Sequence, residues 1–321
     1  MSFSFRNLER LREVRVKIPL DEDGMMGREC PVPKCLGYFK VQPGTGLTGE
    51  NLPMHCPYCG HGGSSNTFFT PEQNKYIESV GMRSVSEAFL KDLKTLEFSR
   101  PARGFMGIGI SMKVTGRPTP IAHYREKKLE TEVVCEACTL RYMIYGVFGY
   151  CPDCRVHNSK QILAKNFDLV EKLLGLASEQ TGDVAHVLVE NALEDCVSSF
   201  DGFGRETCLA FAAKALDPAK AEDIRFQNLD GARKRVLEQF NVDFVAQTDA
   251  AVLGKLRNSF QKRHLLAHKM GVVDRDYLDV TKDPAAVEGR KIRIDAAEVR
   301  TLCRELKILG DRLFDELSNK P

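Results

Sequence analysis

Four pairs of closely spaced cysteines are the strongest chemical signal in this 321-residue sequence. The pairs are Cys30/Cys35, Cys56/Cys59, Cys135/Cys138 and Cys151/Cys154. A thiolate is a soft ligand, and two such knuckles close a tetrahedral site around Zn(II). Disulfide frameworks belong mainly to short secreted chains, whereas paired cysteines in a long cytosolic chain more often bind metal. We therefore predict metal sites.

The pairs predict two structural zinc ions, one for each sequence-local quartet. The second quartet has twelve residues between its two Cys-x2-Cys knuckles, which is typical of a zinc ribbon. The first quartet is wider, with four residues between Cys30 and Cys35 and twenty between Cys35 and Cys56. A site with four thiolates has no open coordination position, so we expect no catalytic metal.

Alternatives remain open for the ligand sets. The quartets could exchange knuckles in a cross-braced arrangement, although 75 residues separate Cys59 from Cys135. Three histidines flank the knuckles and could replace a thiolate: His55, His61 and His157. Three further cysteines stand alone in helical stretches, where a buried thiol is the expected state: Cys196, Cys208 and Cys303.

A second group of chemically capable residues lies in a helix predicted over residues 248–270. Between Lys255 and Lys269 there are five cations and two histidines but no acidic residue. The formal net charge of the chain is only +2, so this segment is a local positive field rather than part of a basic protein. Four of the cations are predicted to bind RNA phosphates: Lys255, Arg257, Lys262 and Lys269.

The candidate catalytic residues of this helix are Arg263, His264 and His268. RNA cleavage by its own 2′-hydroxyl needs a proton acceptor, a proton donor and a positive charge at phosphorus. Imidazole can serve either proton role near neutral pH, and guanidinium pairs with phosphate oxygens. His264 could instead pack in the core, and the other two residues could belong to a solvated basic face.

The spacing Arg263-His264-x3-His268 resembles the Arg-polar-x3-His motif of HEPN domains, a nucleotide-binding superfamily. Further residues resemble HEPN sequences. They follow the motif or lie in the last predicted helix: Gly271–Asp274, Tyr277 and Arg312–Leu317. No tyrosine lies two residues after His268, which differs from HEPN toxins whose motif continues to a modifiable tyrosine. The resemblance covers roughly residues 161–321.

The resemblance implies a metal-independent RNA endonuclease whose products have a 2′,3′-cyclic phosphate. HEPN nucleases dimerise and bring two copies of the motif into one cleft, so a homodimer and an RNA substrate are expected. The five-residue spacing places Arg263 and His268 about 140° apart on an ideal helix, so either Arg263 reaches around the helix or a second protomer completes the site, as the resemblance implies. The family further suggests a prokaryotic toxin or phage-defence effector, with an antitoxin or defence-system partner.

Two other functions remain open. The chain could be a non-catalytic zinc-ribbon protein that binds nucleic acid or acts as a regulator, with a helical dimerisation domain. It could also be a scaffold whose ribbons bind another protein. On the ribbon side, the candidate for nucleic-acid contact is a basic and aromatic segment that could equally be a solvated loop: Arg117, His123, Tyr124, Arg125, Lys127 and Lys128.

The sequence pattern predicts a multidomain α+β protein, whose helices and strands must position these residues. An N-terminal β-rich double zinc ribbon with a connecting helix precedes a C-terminal all-α, HEPN-like helical bundle. The predicted modules are the first ribbon and its helix (1–100), the second ribbon (101–158) and the helical domain (159–321). Helices of the last module are predicted over 160–178, 183–200, 204–215, 229–239, 248–270 and 295–318, with Thr248 and Asp295 as N-caps.

In the N-terminal region, charged and apolar residues alternate over residues 13–18, and this pattern predicts a strand. A helix is predicted from Pro71 to about Phe98, with Thr70 as its N-cap. Further strands are predicted at 107–114 and 132–134, and a hairpin within 140–150.

The composition, 43% hydrophobic and 28% charged, is that of a globular protein and excludes disorder along the whole chain. No apolar run approaches the ~18 residues that a membrane helix needs. The first ten residues contain no apolar core typical of a signal peptide. We therefore expect a soluble, cytoplasmic protein without membrane contact.

Overall fold

The computed structural model describes residues 4–49, 52–100, 110–129 and 131–320. The chain forms two compact units, Met1–Val156 and His157–Pro321. Small antiparallel sheets occur in the first unit and helices form the second, so the fold is α+β. The first predicted ribbon module and residues 101–156 of the second belong to the first unit, which we call the ribbon unit; the second unit is the helical unit.

Short strands dominate the ribbon unit. Their bounds are β1 Met26–Glu29, β2 Tyr38–Val41, β3 Pro53–His55, β4 Gly62–Ser64, β5 Phe98–Arg100, β6 Ile110–Met112, β7 Thr131–Val134 and β8 Arg141–Ile144. Its described helices are α1 Arg6–Arg10, α2 Pro71–Lys94 and a 3-10 turn at Ser65–Phe68. The elements are short because knuckles and turns interrupt the chain at frequent intervals.

Four of these strands form one antiparallel sheet in the order β1-β2-β8-β7. The hairpin around the Cys30–Cys35 knuckle therefore joins the hairpin around the Cys135–Cys138 knuckle, edge to edge. The join is made by β2 and β8, where Lys40 pairs with Met143. One knuckle of each quartet thus lies in a turn of this single sheet, and the two turns are at its opposite ends.

The hairpin predicted within residues 140–150 is wrong, because this segment contributes one strand, β8, to a different hairpin. The turn of that hairpin is the cysteine knuckle itself, where Cys135 N donates to Leu140 O at 2.9 Å. The strand predicted over 13–18 does not form either. Its backbone has no ladder partner, and Lys17 O instead accepts from the Tyr76 hydroxyl of α2 at 3.4 Å.

The predicted start of α2 is confirmed. Thr70 Oγ1 accepts from Gln73 N at 3.1 Å, and Gln73 Oε1 accepts from Thr70 N at 3.2 Å, so both partners of a capping box are satisfied. The helix ends at Lys94, before Phe98, because residues 98–100 pair with β6 instead. Of the strand predicted at 107–114, residues 107–109 lie outside the described residues.

The described residues of the ribbon unit form one hydrophobic core. Its fully buried aromatic members include Phe39 of β2 and Tyr142 of β8, and the Phe39 ring meets Phe68 edge-on at 6.0 Å. Cysteines from both quartets belong to this core: Cys30, Cys56, Cys135, Cys138 and Cys151. The two groups of cysteines therefore share one packed interior.

Seven α-helices and a 3-10 turn at Ala212–Lys214 form the described part of the helical unit. The helices are α3 Ser159–Ser178, α4 Gly182–Ala210, α5 Pro218–Glu222, α6 Leu229–Phe240, α7 Ala250–Lys269, α8 Arg275–Thr281 and α9 Ala296–Asn319. A large core lies between α3, α4, α6, α7 and α9. A second, smaller core lies under the last turns of α7: Leu265, Val273, Tyr277 and Ile292.

The two helices predicted over 183–200 and 204–215 are one helix, α4. Gly204 does not break it; an added Cβ there would lie 2.4 Å from the ring of Phe226, so this glycine allows close packing. The N-cap of α7 is Asp249 rather than Thr248, because its carboxylate accepts from Ala251 N at 2.8 Å. Asp295 caps α9 as predicted.

We expect Gly204→Ala to lower the free energy of unfolding by about 1–3 kcal/mol, because the fully buried Phe226 ring must move. Gly202→Ala is the matched control on the same helix, since a Cβ there meets open space. It should raise stability by up to ~1 kcal/mol through helix propensity. Urea unfolding of both variants measures the difference, and equal effects would contradict this packing.

Candidate functional site

Four cysteines of the ribbon unit form the first candidate metal centre. The Sγ atoms of Cys30, Cys35, Cys56 and Cys59 all lie within 4.8 Å of one another. Cys30 and Cys59 are 3.7 Å apart, as are Cys35 and Cys56. A tetrahedral zinc with Zn–S bonds of ~2.3 Å requires sulfur separations of about 3.8 Å. The four sulfurs therefore fit around one ion.

The second candidate centre has the same arrangement. Cys135 and Cys154 are 3.6 Å apart, and Cys138 and Cys151 are 3.4 Å apart. Each centre contains the cysteines of one sequence-local quartet, and no knuckle is exchanged between quartets. Two tetracysteine groups that could hold metal ions are thus present in the ribbon unit.

All four knuckles make the same turn. The residue after the second cysteine is left-handed in each case: Leu36 (φ 45°), Gly60 (φ 68°), Thr139 (φ 64°) and Arg155 (φ 61°). The N–H of each donates to the carbonyl four residues earlier, at 2.8–3.0 Å. Only one of the four is glycine, the residue that usually marks a left-handed position, so the sequence alone does not predict this turn. A left-handed non-glycine residue costs about 1 kcal/mol or more, so the tertiary structure must favour the turn.

Burial sets the acidity of several knuckle thiols. Loss of solvent raises the pKa of Cys30 and of Cys154 to about 11, and raises the pKa of Cys56 further. A buried thiolate is unfavourable without a compensating positive charge, which a bound cation would supply. The donor set, four sulfurs and no oxygen, is the chemistry of zinc rather than of calcium or magnesium.

The three histidines near the knuckles lie outside both tetracysteine groups. His55 Nδ1 is 3.2 Å from Asp153 O, and the His61 ring packs 6.2 Å from that of Phe68. His157 is buried at the start of the helical unit, where loss of solvent lowers its pKa to about 4. With four sulfurs already gathered in each group, neither group needs an imidazole ligand.

The three candidate catalytic residues lie on the C-terminal half of α7. His264 and His268 are both exposed, and their ring centroids are 4.6 Å apart. His264 is therefore not a core residue. The helix ends directly after the motif, with Met270 and Gly271 both left-handed and Gly271 N donating to Leu265 O at 2.9 Å.

Arg263 differs from its histidine neighbours in being half-buried. Its Nε atom is enclosed and has no hydrogen-bond partner among the described residues. A buried donor without a partner is uncommon in folded proteins and needs an explanation. The Nε donor of Arg263 is therefore enclosed within the fold, whereas the two imidazoles of the same helix are exposed.

Two of the four predicted RNA-binding cations have acidic partners from other helices. Arg257 Nη2 is 2.6 Å from Asp230 Oδ1 of α6. Lys262 Nζ is 2.7 Å from Glu298 Oε2 of α9, and this ion pair is largely enclosed. Both acidic partners are distant in sequence, so the sequence alone does not show that these two positive charges are balanced.

The other two predicted RNA-binding cations remain on the surface. Lys255 and Lys269 are exposed and form no ion pair with another described residue. Lys269 lies directly after His268 in the last turn of α7. The free positive charge of the helix is thus smaller than the sequence indicated, and part of it is adjacent to the histidines.

The basic segment of the ribbon unit is anchored by its inward residues. Glu126 accepts from the Tyr38 hydroxyl at 2.6 Å and from Gln73 Nε2 at 3.0 Å. Tyr124 packs edge-on against Tyr76 at 5.6 Å, so its ring is engaged within the fold. The outward residues of the segment are cationic or titratable: Arg117, His123, Arg125, Lys127 and Lys128.

In comparisons with known proteins, no family model, no curated protein and no solved structure matches the chain. Within the part of the chain that the structure describes, no helix has the length and apolar character needed to cross a membrane.

We expect Cys135→Ser to bind about one metal ion per chain, where the parent protein has two tetracysteine groups. The thermal unfolding temperature of the ribbon unit should also fall, because metal binding and local folding are coupled. Elemental analysis and circular dichroism measure these two effects. Cys208→Ala, which changes a cysteine outside both groups, should retain the full metal content. A metal-free parent protein that is fully folded would show that the groups are not metal sites.

Proposed function

We propose that the helical unit is an HEPN-type, metal-independent RNA endonuclease and that the ribbon unit holds two structural zinc ions. The observation that supports the nuclease is the exposed pair of imidazoles, His264 and His268, 4.6 Å apart and next to Arg263. Two neighbouring imidazoles can act as proton acceptor and proton donor. The Arg263 guanidinium carries a fixed positive charge that can stabilise the phosphate on which negative charge develops.

A second copy of the chain completes the site in this proposal. Arg263 and His268 are about 140° apart around α7, so one copy presents them in different directions. Met270, directly after the motif, is 85% exposed and offers an apolar contact surface beside the histidines. A homodimer that covers Met270 would bring two motifs to one cleft.

Zinc has a structural role in this proposal. Each ion would be held by one tetracysteine group and would cross-link two knuckles. Four thiolates fill the coordination sphere, so proton transfer during RNA cleavage is assigned to residues of α7. The ribbon unit would contact RNA or a partner through the outward cations of residues 117–128.

The family resemblance extends the proposal to a biological setting. The protein would act in the cytoplasm as a toxin or phage-defence effector, and an antitoxin or another defence protein would hold it inactive or activate it. RNA would be the substrate.

Non-catalytic nucleic-acid binding is the second candidate function. It is favoured by three exposed cations of the 117–128 segment that form no ion pair with a described residue, Arg117, Arg125 and Lys128. In this alternative the helical unit would serve only for dimerisation. The two functions differ in whether RNA is cut, and cleavage therefore separates them.

We expect Arg263→Ala and His268→Ala each to slow RNA cleavage by about 10²–10⁴-fold with the fold intact, because both act on one transition state. His264→Ala should give a comparable loss, since its ring faces that of His268. Gel analysis of labelled RNA without added divalent metal measures the rates, and product analysis should show 2′,3′-cyclic phosphate ends. His186→Ala, an exposed histidine of α4, is the matched control and should be fully active.

Mixing Arg263→Ala with His268→Ala tests the shared site. Activity returns in the mixture only if the two residues act from different protomers. A purified parent dimer that leaves every tested RNA intact, with candidate activators present, would favour the binding protein instead.

We expect the double change Lys255→Ala and Lys269→Ala to weaken RNA binding for all sequences and to lower the salt slope by about 2. Lys262→Ala should leave the slope nearly unchanged but reduce stability, because Glu298 would lose its enclosed partner. Fluorescence titrations at several salt concentrations measure the slopes. An unchanged slope in the double variant would assign RNA binding to residues 117–128.

A further inference from the structure

A pair of cysteines outside both tetracysteine groups lies within the helical unit. Cys196 of α4 and Cys303 of α9 face each other with their Sγ atoms 3.1 Å apart. This separation is shorter than the 3.4–3.7 Å between the paired sulfurs of the tetracysteine groups. The two residues are 107 positions apart in sequence, so packing of the two helices, not a local turn, brings them together.

The two thiols differ in access to solvent. Cys196 is fully buried, whereas Cys303 is partly exposed at the edge of the same core. Burial, together with the neighbouring sulfur of Cys303, raises the pKa of Cys196 well above its ordinary value. A small oxidant in solution would therefore reach Cys303 first, and Cys196 would react second from inside the core.

We infer that Cys196 and Cys303 are a redox-active dithiol, which a hydroperoxide oxidises to a disulfide joining α4 to α9. In the first step the Cys303 thiolate attacks one peroxide oxygen, the O–O bond breaks, and the departing hydroxide takes a proton to form water. Cys303 becomes a sulfenic acid. In the second step Cys196 Sγ attacks Cys303 Sγ and gives up its proton, and the hydroxyl of the sulfenic acid leaves as a second water. Two thiols are oxidised by two electrons, and one hydrogen peroxide is reduced to two waters.

The packing favours this bond. A disulfide has an S–S length of about 2.0 Å, so the two sulfurs need to approach by only about 1 Å. The bond would close a long loop of chain, and long loops give the largest stabilisation in the chain-entropy model. It would also tie together two helices that both pack against α7, one of which, α9, supplies Glu298 to Lys262. Oxidation would thus stiffen the bundle that supports Arg263 and the two histidines.

Peptide mapping of the full-length protein tests the pair directly. The metal-loaded protein is treated with hydrogen peroxide, blocked with an alkylating reagent and digested with trypsin without reduction. The cysteines fall in separate tryptic peptides, Leu173–Arg205 and Thr301–Arg304. We expect these two peptides to appear cross-linked with the loss of two hydrogens, and to separate again after treatment with dithiothreitol. The unfolding temperature of the helical unit should rise by about 5 °C or more in the oxidised protein.

Single variants distinguish this pair from general cysteine oxidation. Cys303→Ser should abolish both the cross-linked peptide and the rise in unfolding temperature. Cys208→Ala is the matched control, since Cys208 is another buried cysteine of α4 and should leave both effects in place. The inference is overturned if Cys303 is oxidised to a sulfinic acid, or remains a thiol, while the protein stays folded and Cys196 stays unlinked. The result is independent of RNA cleavage, because the readout is the bond itself.

Discussion

The pairing of β2 with β8 determines the architecture of the ribbon unit. The two strands belong to different cysteine quartets, and their ladder joins two small hairpins into one sheet of four strands. A two-stranded ribbon has too little apolar surface to form a stable core alone. Once joined, the hairpins bury Phe39 and Tyr142 against cysteines of both groups. Cysteines of both tetracysteine groups therefore share one interior.

The same dependence on packing decides which residues of α7 are free to react. The first turns of the helix bury Leu253, Leu256 and Phe260 in the large core, whereas the last turns bury Leu265 in the small one. The buried face therefore shifts around the helix, and His264, which lies near the apolar stripe on a helical projection, is exposed. An ion pair with α6 offsets the charge of the exposed Arg257, and an ion pair with α9 encloses Lys262. What remains near the end of the helix is the half-buried Arg263, the exposed pair His264 and His268, and the exposed Lys269.

Sequence reasoning was successful where the controlling interactions are local. Thr70 and Gln73 form their capping box within four residues, and the 3.6-residue periodicity locates most helices of the second unit to within a few positions. It was less successful where a distant partner decides the outcome. Residues 13–18 alternate like a strand but meet no second strand, and Gly204 looks like a helix break until Phe226 is seen to pack on it.

The sequence by itself indicated the two cysteine quartets that the structure gathers, the helical character of residues 159–320 and the position of the Arg-His-x3-His spacing on one helix. These features depend on residue types and on short spacings, and both can be read directly from the sequence. Only the tertiary structure decided that both quartets share one core, that Arg257 and Lys262 are neutralised, and that Cys196 meets Cys303 across two helices. Those contacts join residues tens of positions apart, and no local pattern encodes them, because they arise when buried surfaces pack together.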